Sequence, residues 1–264
     1  METNLFFYLI IFLFGLGIGS FLNSIVFRLQ VDESFLLKRS FCPNCKHKLS
    51  WKDLIPLLSF LILKGKCRYC QNKISLQYPL VELVTGILFV LIFYYCQSFL
   101  FAIYCLVITC FLIIIFVYDL KHYIIPDKII YPAILISVIW YLVASVFLNL
   151  YTKYDIFGAS FAALLAAIFF LVIVLISRGK WMGVGDIKLA LLLGLFLGWP
   201  NILVALFLAF FVGAIIGIGL VISGKKTFKS EVPFGPFLVG GTFITFFLGE
   251  KIINWYFNFF NLVI

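Results

Sequence analysis

A chain of 264 residues that is 64% hydrophobic and only 12% charged, with a mean hydropathy of +1.18, cannot be an ordinary soluble domain, where roughly 45–50% of residues are apolar. Its net charge of +9 does not mark a nucleic-acid binder. Of the 20 Lys and Arg, 18 fall in four polar stretches between apolar runs, a distribution that reports membrane orientation.

A membrane-spanning helix takes about 20 largely apolar residues. Eight runs answer to this, at 5–27, 79–96, 99–118, 129–150, 156–177, 189–199, 202–223 and 234–249. The sixth is short and is expected to extend back through Asp186. The fold class is therefore an all-α polytopic membrane protein of about eight transmembrane helices, carrying a cytosolic four-cysteine zinc-binding loop. With the N-terminus outside, the cytoplasmic stretches are 28–78, 119–128, 178–188 and 224–233. These hold 10, 2, 3 and 3 basic residues, and only Lys153 and Lys251 fall elsewhere.

The first run has no basic residue before it and Arg28 directly after it, the reverse of a secretory signal, and is expected to remain as an anchor. Its Gly15, Gly17 and Gly19 lack the preceding strand and polar helix start of a phosphate loop, so close helix packing is the better reading. The pairs Gly194/Gly198 and Gly213/Gly217 read the same way.

Residues 28–78 form the one long polar segment, with Cys42-Pro43-Asn44-Cys45 and Cys67-Arg68-Tyr69-Cys70 inside it. Two Cys-x-x-Cys knuckles at this separation can bring four thiolates onto one ion, the arrangement structural zinc prefers. The alternative of free thiols or disulfides is disfavoured in a reducing compartment. Cys42, Cys45, Cys67 and Cys70 complete a metal shell, leaving His47 as a surface residue. Such a loop is too short to bury much core, so the metal supplies much of its folding free energy. Cys96, Cys105 and Cys110 lie in apolar runs and read as packing residues. Glu82, near the start of the second run, is costly to place at the bilayer edge. It has either a functional task or a favourable place at a helix N-terminus.

Asp119 ends the third run, whereas Asp127 follows Pro126 and suits a helix start. Chemistry is therefore assigned to Asp119 and structure to Asp127, with His122 in a solvated loop. Residues 151–155 make a short external turn. In Gly183-Val184-Gly185-Asp186 a carboxylate follows two glycines at the start of the sixth run, where the backbone can approach another chain closely. The third run leads inward to Asp119 and the sixth leads outward from Asp186, so both acids arrive at one membrane face. A pair held close in low dielectric tends to share a proton, as aspartyl hydrolysis requires. The Pro233-Phe234-Gly235-Pro236 stretch breaks regular hydrogen bonding at the membrane edge and suits the wall of a wet cavity. The tail 251–264 lies at the outer interface or completes the last span.

Several of these motifs occur together: Gly19-Ser20-Phe21-Leu22-Asn23 with Arg28-Leu29, and the paired Cys-x-x-Cys with Leu49-Ser50-Trp51 and Ile55-Pro56 between. Tyr78-Pro79-Leu80-Val81-Glu82 and Asp119-Leu120 with Pro126-Asp127 follow. Gly183-x-Gly185-Asp186-x-Lys188-Leu189 and Pro233-Phe234-Gly235-Pro236-Phe237 complete the set. In this combination the chain resembles the bacterial type IV prepilin peptidases, integral-membrane aspartyl proteases of the Gly-x-Gly-Asp kind. The resemblance implies an enzyme of the bacterial inner membrane that cuts leaders from membrane-inserted prepilins and pseudopilins at the cytosolic face. Asp119 and Asp186 match the catalytic pair. It also implies N-methylation of the new terminus with S-adenosylmethionine, for which no donor motif is visible. Three regions follow: an N-terminal helix (1–27), the zinc loop and methyltransferase-associated region (28–78), and the peptidase domain (79–264). Lys66, Gln77 and Gln30 depart from residues common in the family, and these touch the loop more than the protease. The rival readings are an ion-coupled transporter, whose acids belong near the bilayer midplane, and a non-enzymatic assembly factor with a docking loop.

Overall fold

The structure is a computed structural model that describes residues 5–31, 40–146, 156–224, 227 and 232–259. The turn expected at 151–155 and the end of the C-terminal tail lie outside the described residues. Regular structure among the described residues is helical, and β-pairing is confined to isolated bridges. The helices are α1 (Leu5–Gln30), α2 (Leu58–Ile62), α3 (Gln77–Tyr95), α4 (Phe99–His122), α5 (Asp127–Val146), α6 (Ile156–Ser177), α7 (Val184–Leu197), α8 (Asn201–Ile222) and α9 (Gly235–Phe259). A single 3-10 turn, Trp51–Asp53, precedes α2. Seven of the helices are long and apolar enough to cross a membrane. The expected sixth span is α7, which does begin before Asp186 but has only 14 residues. At 1.5 Å per residue it covers roughly 21 Å, short of a bilayer core about 30 Å thick.

Two compact units divide the chain, Met1–Ile114 and Ile115–Ile264. In the first, α1 packs on α3. A Cβ at Gly15 would stand 2.8 Å from Gly86 Cα, and one at Gly19 would stand 2.7 Å from Glu82 Cα. Lipid gives apolar helices no hydrophobic reason to pair, so backbone approach at small residues supplies the contact. Gly17 meets nothing within 4 Å, so the packing stripe is Gly15 and Gly19 without it.

In the second unit, α6 presents buried Ala159, Ala162, Ala163 and Ala166 to α7, and a Cβ at Gly194 would lie 2.4 Å from Ala163 Cα. Helices α8 and α9 meet in the same manner, with Gly241 against the Ala205 carbonyl. Gly198 and Gly217 have no such neighbour. Gly198 instead ends α7 in the left-handed region, at φ +69°. Large apolar side chains such as Phe157, Ile168, Phe207 and Ile222 point outward, as expected of a surface facing lipid.

Candidate active site and cysteine module

Asp119 lies one turn from the end of α4 and is only 4% exposed. Its Oδ2 accepts a hydrogen bond from the backbone N–H of Gly235, at 3.0 Å, across 116 residues of chain. Gly235 is the first residue of α9, so the carboxylate sits at the positive end of a 25-residue helix. Any side chain at 235 would place its Cβ 2.6 Å from that oxygen. Phe234, just before it, packs on Phe210 and Phe170 with centroids 4.8 and 6.1 Å away, which fixes the turn.

Asp186 occupies the first turn of α7 and reaches back to accept the Gly183 N–H at 3.2 Å, one half of a capping box. Gly185 packs against Ile125, where a Cβ would lie 3.1 Å from the isoleucine Cβ. Two carboxylates from different helices are thus each steadied by a glycine amide at a helix N-terminus. Asp127, in the first turn of α5, accepts a hydrogen bond from Lys188 Nζ at 2.6 Å and so ties α5 to α7. His122 departs from expectation. It belongs to α4, its ring lies against Tyr118, and its Nε2 is buried without a hydrogen-bond partner among the described residues.

In the first unit the four predicted thiols converge. The sulfurs of Cys42, Cys45, Cys67 and Cys70 all lie within 4.8 Å of one another, with Cys42 and Cys70 at 3.9 Å. A tetrahedral ion with bonds of about 2.3 Å sets its sulfurs about 3.8 Å apart, so the cluster fits zinc. The two knuckles repeat one design. Cys42 and Cys67 donate N–H to the carbonyls of His47 and Asn72, Lys46 and Gln71 take matching left-handed conformations, and Phe41–Lys48 and Lys66–Lys73 form equivalent bridges. The thiols do not titrate alike. Burial raises Cys67, but N–H groups of Cys70 and Tyr69 outweigh it and bring it to about 7. For Cys70 a bond from Asn72 is overcome by burial and the crowded sulfurs, and it rises to about 11. A set that cannot ionise fully alone is suited to a cation.

Asp53 clasps the knuckles. Its carboxylate accepts from Arg68 Nε at 2.7 Å, Ser50 Oγ at 2.8 Å, Ser50 N–H and Tyr69 hydroxyl at 3.1 Å. His47 stacks on Tyr69 outside the thiol cluster, with ring centroids 3.7 Å apart. Glu82 is buried between α1 and α3, and its Oε2 accepts the Leu57 N–H at 2.9 Å.

A bundle of apolar helices carrying two glycine-held aspartates, and a four-cysteine cluster of metal-binding type, define the class as a polytopic membrane protein. Residues 13–96 match the family described as Bacterial Peptidase A24 N-terminal domain, and residues 106–218 match the Type IV leader peptidase family. The chain is 33% identical to the Prepilin leader peptidase/N-methyltransferase of Aeromonas salmonicida (strain A449), over 94% of this chain and 92% of that one. It is 33% identical to the protein of that name in Bacillus subtilis (strain 168), over 94% and 96%. Against that of Legionella pneumophila it is 31% identical, over 95% and 94%. No solved structure matches it significantly. The chain belongs to the Type IV leader peptidase family.

Proposed function

We propose that this protein removes the leader peptide from membrane-inserted prepilins or pseudopilins by two-aspartate hydrolysis, with Asp119 and Asp186 as the catalytic pair. The observation that supports the reading is that carboxylates on α4 and α7 are each held by a glycine amide at a helix start, in a chain of this family. With one proton on the pair, the ionised carboxylate takes a proton from water as the water oxygen attacks the scissile carbonyl carbon. The protonated partner gives its proton to the carbonyl oxygen. When the tetrahedral intermediate collapses, the C–N bond breaks, the amine leaves with the proton held by the pair, and a hydroxyl of the intermediate returns its proton to the other carboxylate as the new carbonyl forms, so one shared proton remains.

The four thiolates of Cys42, Cys45, Cys67 and Cys70 hold a structural zinc that orders the loop 28–78, between the helix 1–27 and the peptidase region 79–264. The basic residues of that loop and of 119–128 and 178–188 support an N-terminus outside and an active site facing the cytosol. N-methylation of the new terminus follows from the names of the relatives, with S-adenosylmethionine supplying the methyl group. Glu82 and Gln77, whose Oε1 is buried without a partner among the described residues, suit a cationic group. The methyl donor is taken from the names of the relatives.

The test uses the full-length protein in proteoliposomes with a prepilin and a labelled methyl donor, read by product mass. Asp119→Asn and Asp186→Asn should each abolish leader loss while the helical content is kept. Unchanged cleavage in either variant would return the protein to the transporter or assembly-factor readings.

A further inference from the structure

Residues 51–64 carry more apolar surface than a solvated linker between two polar knuckles needs. Trp51, Leu61 and Ile62 are 71%, 68% and 72% exposed, and Leu58 is also open. Leu58, Leu61 and Ile62 stand at i, i+3 and i+4 of α2 and share one face. The height of this face is set by a bond to a membrane helix. Leu57 N–H donates to Glu82 Oε2, and Glu82 lies five residues into α3, about 7.5 Å along its axis. The 19 residues of α3 extend roughly 28 Å, close to the thickness of a bilayer core. With α3 spanning that core, the start of α2 is fastened about 7.5 Å inside its boundary, within the roughly 5–10 Å to which an interfacial element sinks its apolar face.

Charge agrees with position. Between 40 and 75 there are seven basic residues and one acid, Asp53. Exposed Lys52 and Lys64 bracket the apolar face, and Lys52 Nζ lies 5.7 Å from the centre of the Trp51 ring. An apolar face flanked by lysines, with tryptophan at its margin, is the pattern of an element lying in the membrane interface.

We infer that residues 51–64 form an interfacial foot that seats the cysteine module on an anionic lipid leaflet. Trp51, Leu58, Leu61 and Ile62 enter the boundary of the acyl chains, and Lys52 and Lys64 meet headgroup phosphates. The bond to Glu82 keeps the foot at that depth, so the knuckles on either side are held at the headgroup layer.

The experiment places the full-length protein in nanodiscs of brominated phosphatidylcholine, with and without phosphatidylglycerol. Subtracting the emission of Trp51→Phe isolates Trp51 among the five tryptophans. Quenching of Trp51 is expected, and more of it with phosphatidylglycerol present. Lys52→Gln and Lys64→Gln should each weaken seating on the anionic discs about fivefold, the equivalent of about 1 kcal/mol per lysine. Leu61→Asp with Ile62→Asp should remove the quenching while zinc content stays unchanged. Trp51 unquenched in both lipids overturns the inference, and so does quenching indifferent to these substitutions. A blue-shifted but unquenched Trp51 would mean that a second copy or another protein covers the face, and overturns it equally.

Discussion

Asp119 depends on a backbone amide that only glycine at 235 can bring so near. Adding one methyl group there must move either the turn or the carboxylate, because the new Cβ would sit 2.6 Å from Oδ2. A shift of about 1 Å in a reacting group costs on the order of 100-fold in rate. Gly235→Ala should therefore lower leader cleavage by roughly that factor while zinc content is unaltered, which parallel cleavage and metal assays would read. The Asp53 clasp gives a second residue-scale outcome. Burial pushes its carboxyl up, but bonds from Arg68, Ser50 and Tyr69 win and hold it at about 2, below its ordinary 3.8. A carboxylate so lowered contributes stability fully above pH 3.8 and loses it as pH falls through about 2. Thiolates must stay deprotonated to hold a metal and take up protons at higher pH. On acidification zinc should thus leave before the clasp opens, with a zinc-sensitive dye reporting the first step and the Asp53 carboxyl carbon resonance the second. Asp119 and Asp186 stood out in the sequence as candidates because each lies at the margin of an apolar run. Gly235 was visible only as part of an irregular turn, since its partner lies 116 residues away and no local pattern records it.

At the scale of elements, glycine spacing alone overstated helix packing. In Gly15-x-Gly17-x-Gly19 the outer two face α3 and the middle one faces away, as 3.6 residues per turn requires. Gly194 is where the backbone of α6 touches α7, whereas Gly217 on α8 meets open space. Gly194→Ala should force the two helices apart and lower the melting temperature, while Gly217→Ala should leave stability within about 0.5 kcal/mol of the parent and the melting temperature nearly unchanged. Differential scanning of both in the same detergent separates the cases, and equal losses would refute the α6–α7 contact. Helix α7 carries both that contact and Asp186, so its placement against α6 helps to set where the acid stands. The knuckle repeat was legible from cysteine spacing, because metal geometry is a local demand. The exposed face of α2 was not, because five residues give too short a period to read from sequence.

For the molecule as a whole, the hydrogen bond between Gly235 and Asp119 bears on the parity of the crossings. The end of α4 and the start of α9 must lie on the same side of the membrane, so an even number of crossings separates them. Helices α5, α6 and α8 are long enough to cross and supply three. We expect α7 to supply the fourth, despite its 14 residues. A helix of roughly 21 Å can cross because the bilayer thins locally or because the flanking segments at 178–183 and 198–200 complete the path. A crossing α7, packed against α6 on one side, would make eight spans. The expected outcome is that reporters fused after Lys180 and after Pro200 fall on opposite sides of the membrane, and that those after His122 and after Gly224 fall on the same side. Reporters at Lys180 and Pro200 on one common side would make α7 re-entrant. The start of α9 would then face away from Asp119, and the carboxylate could not receive the Gly235 amide.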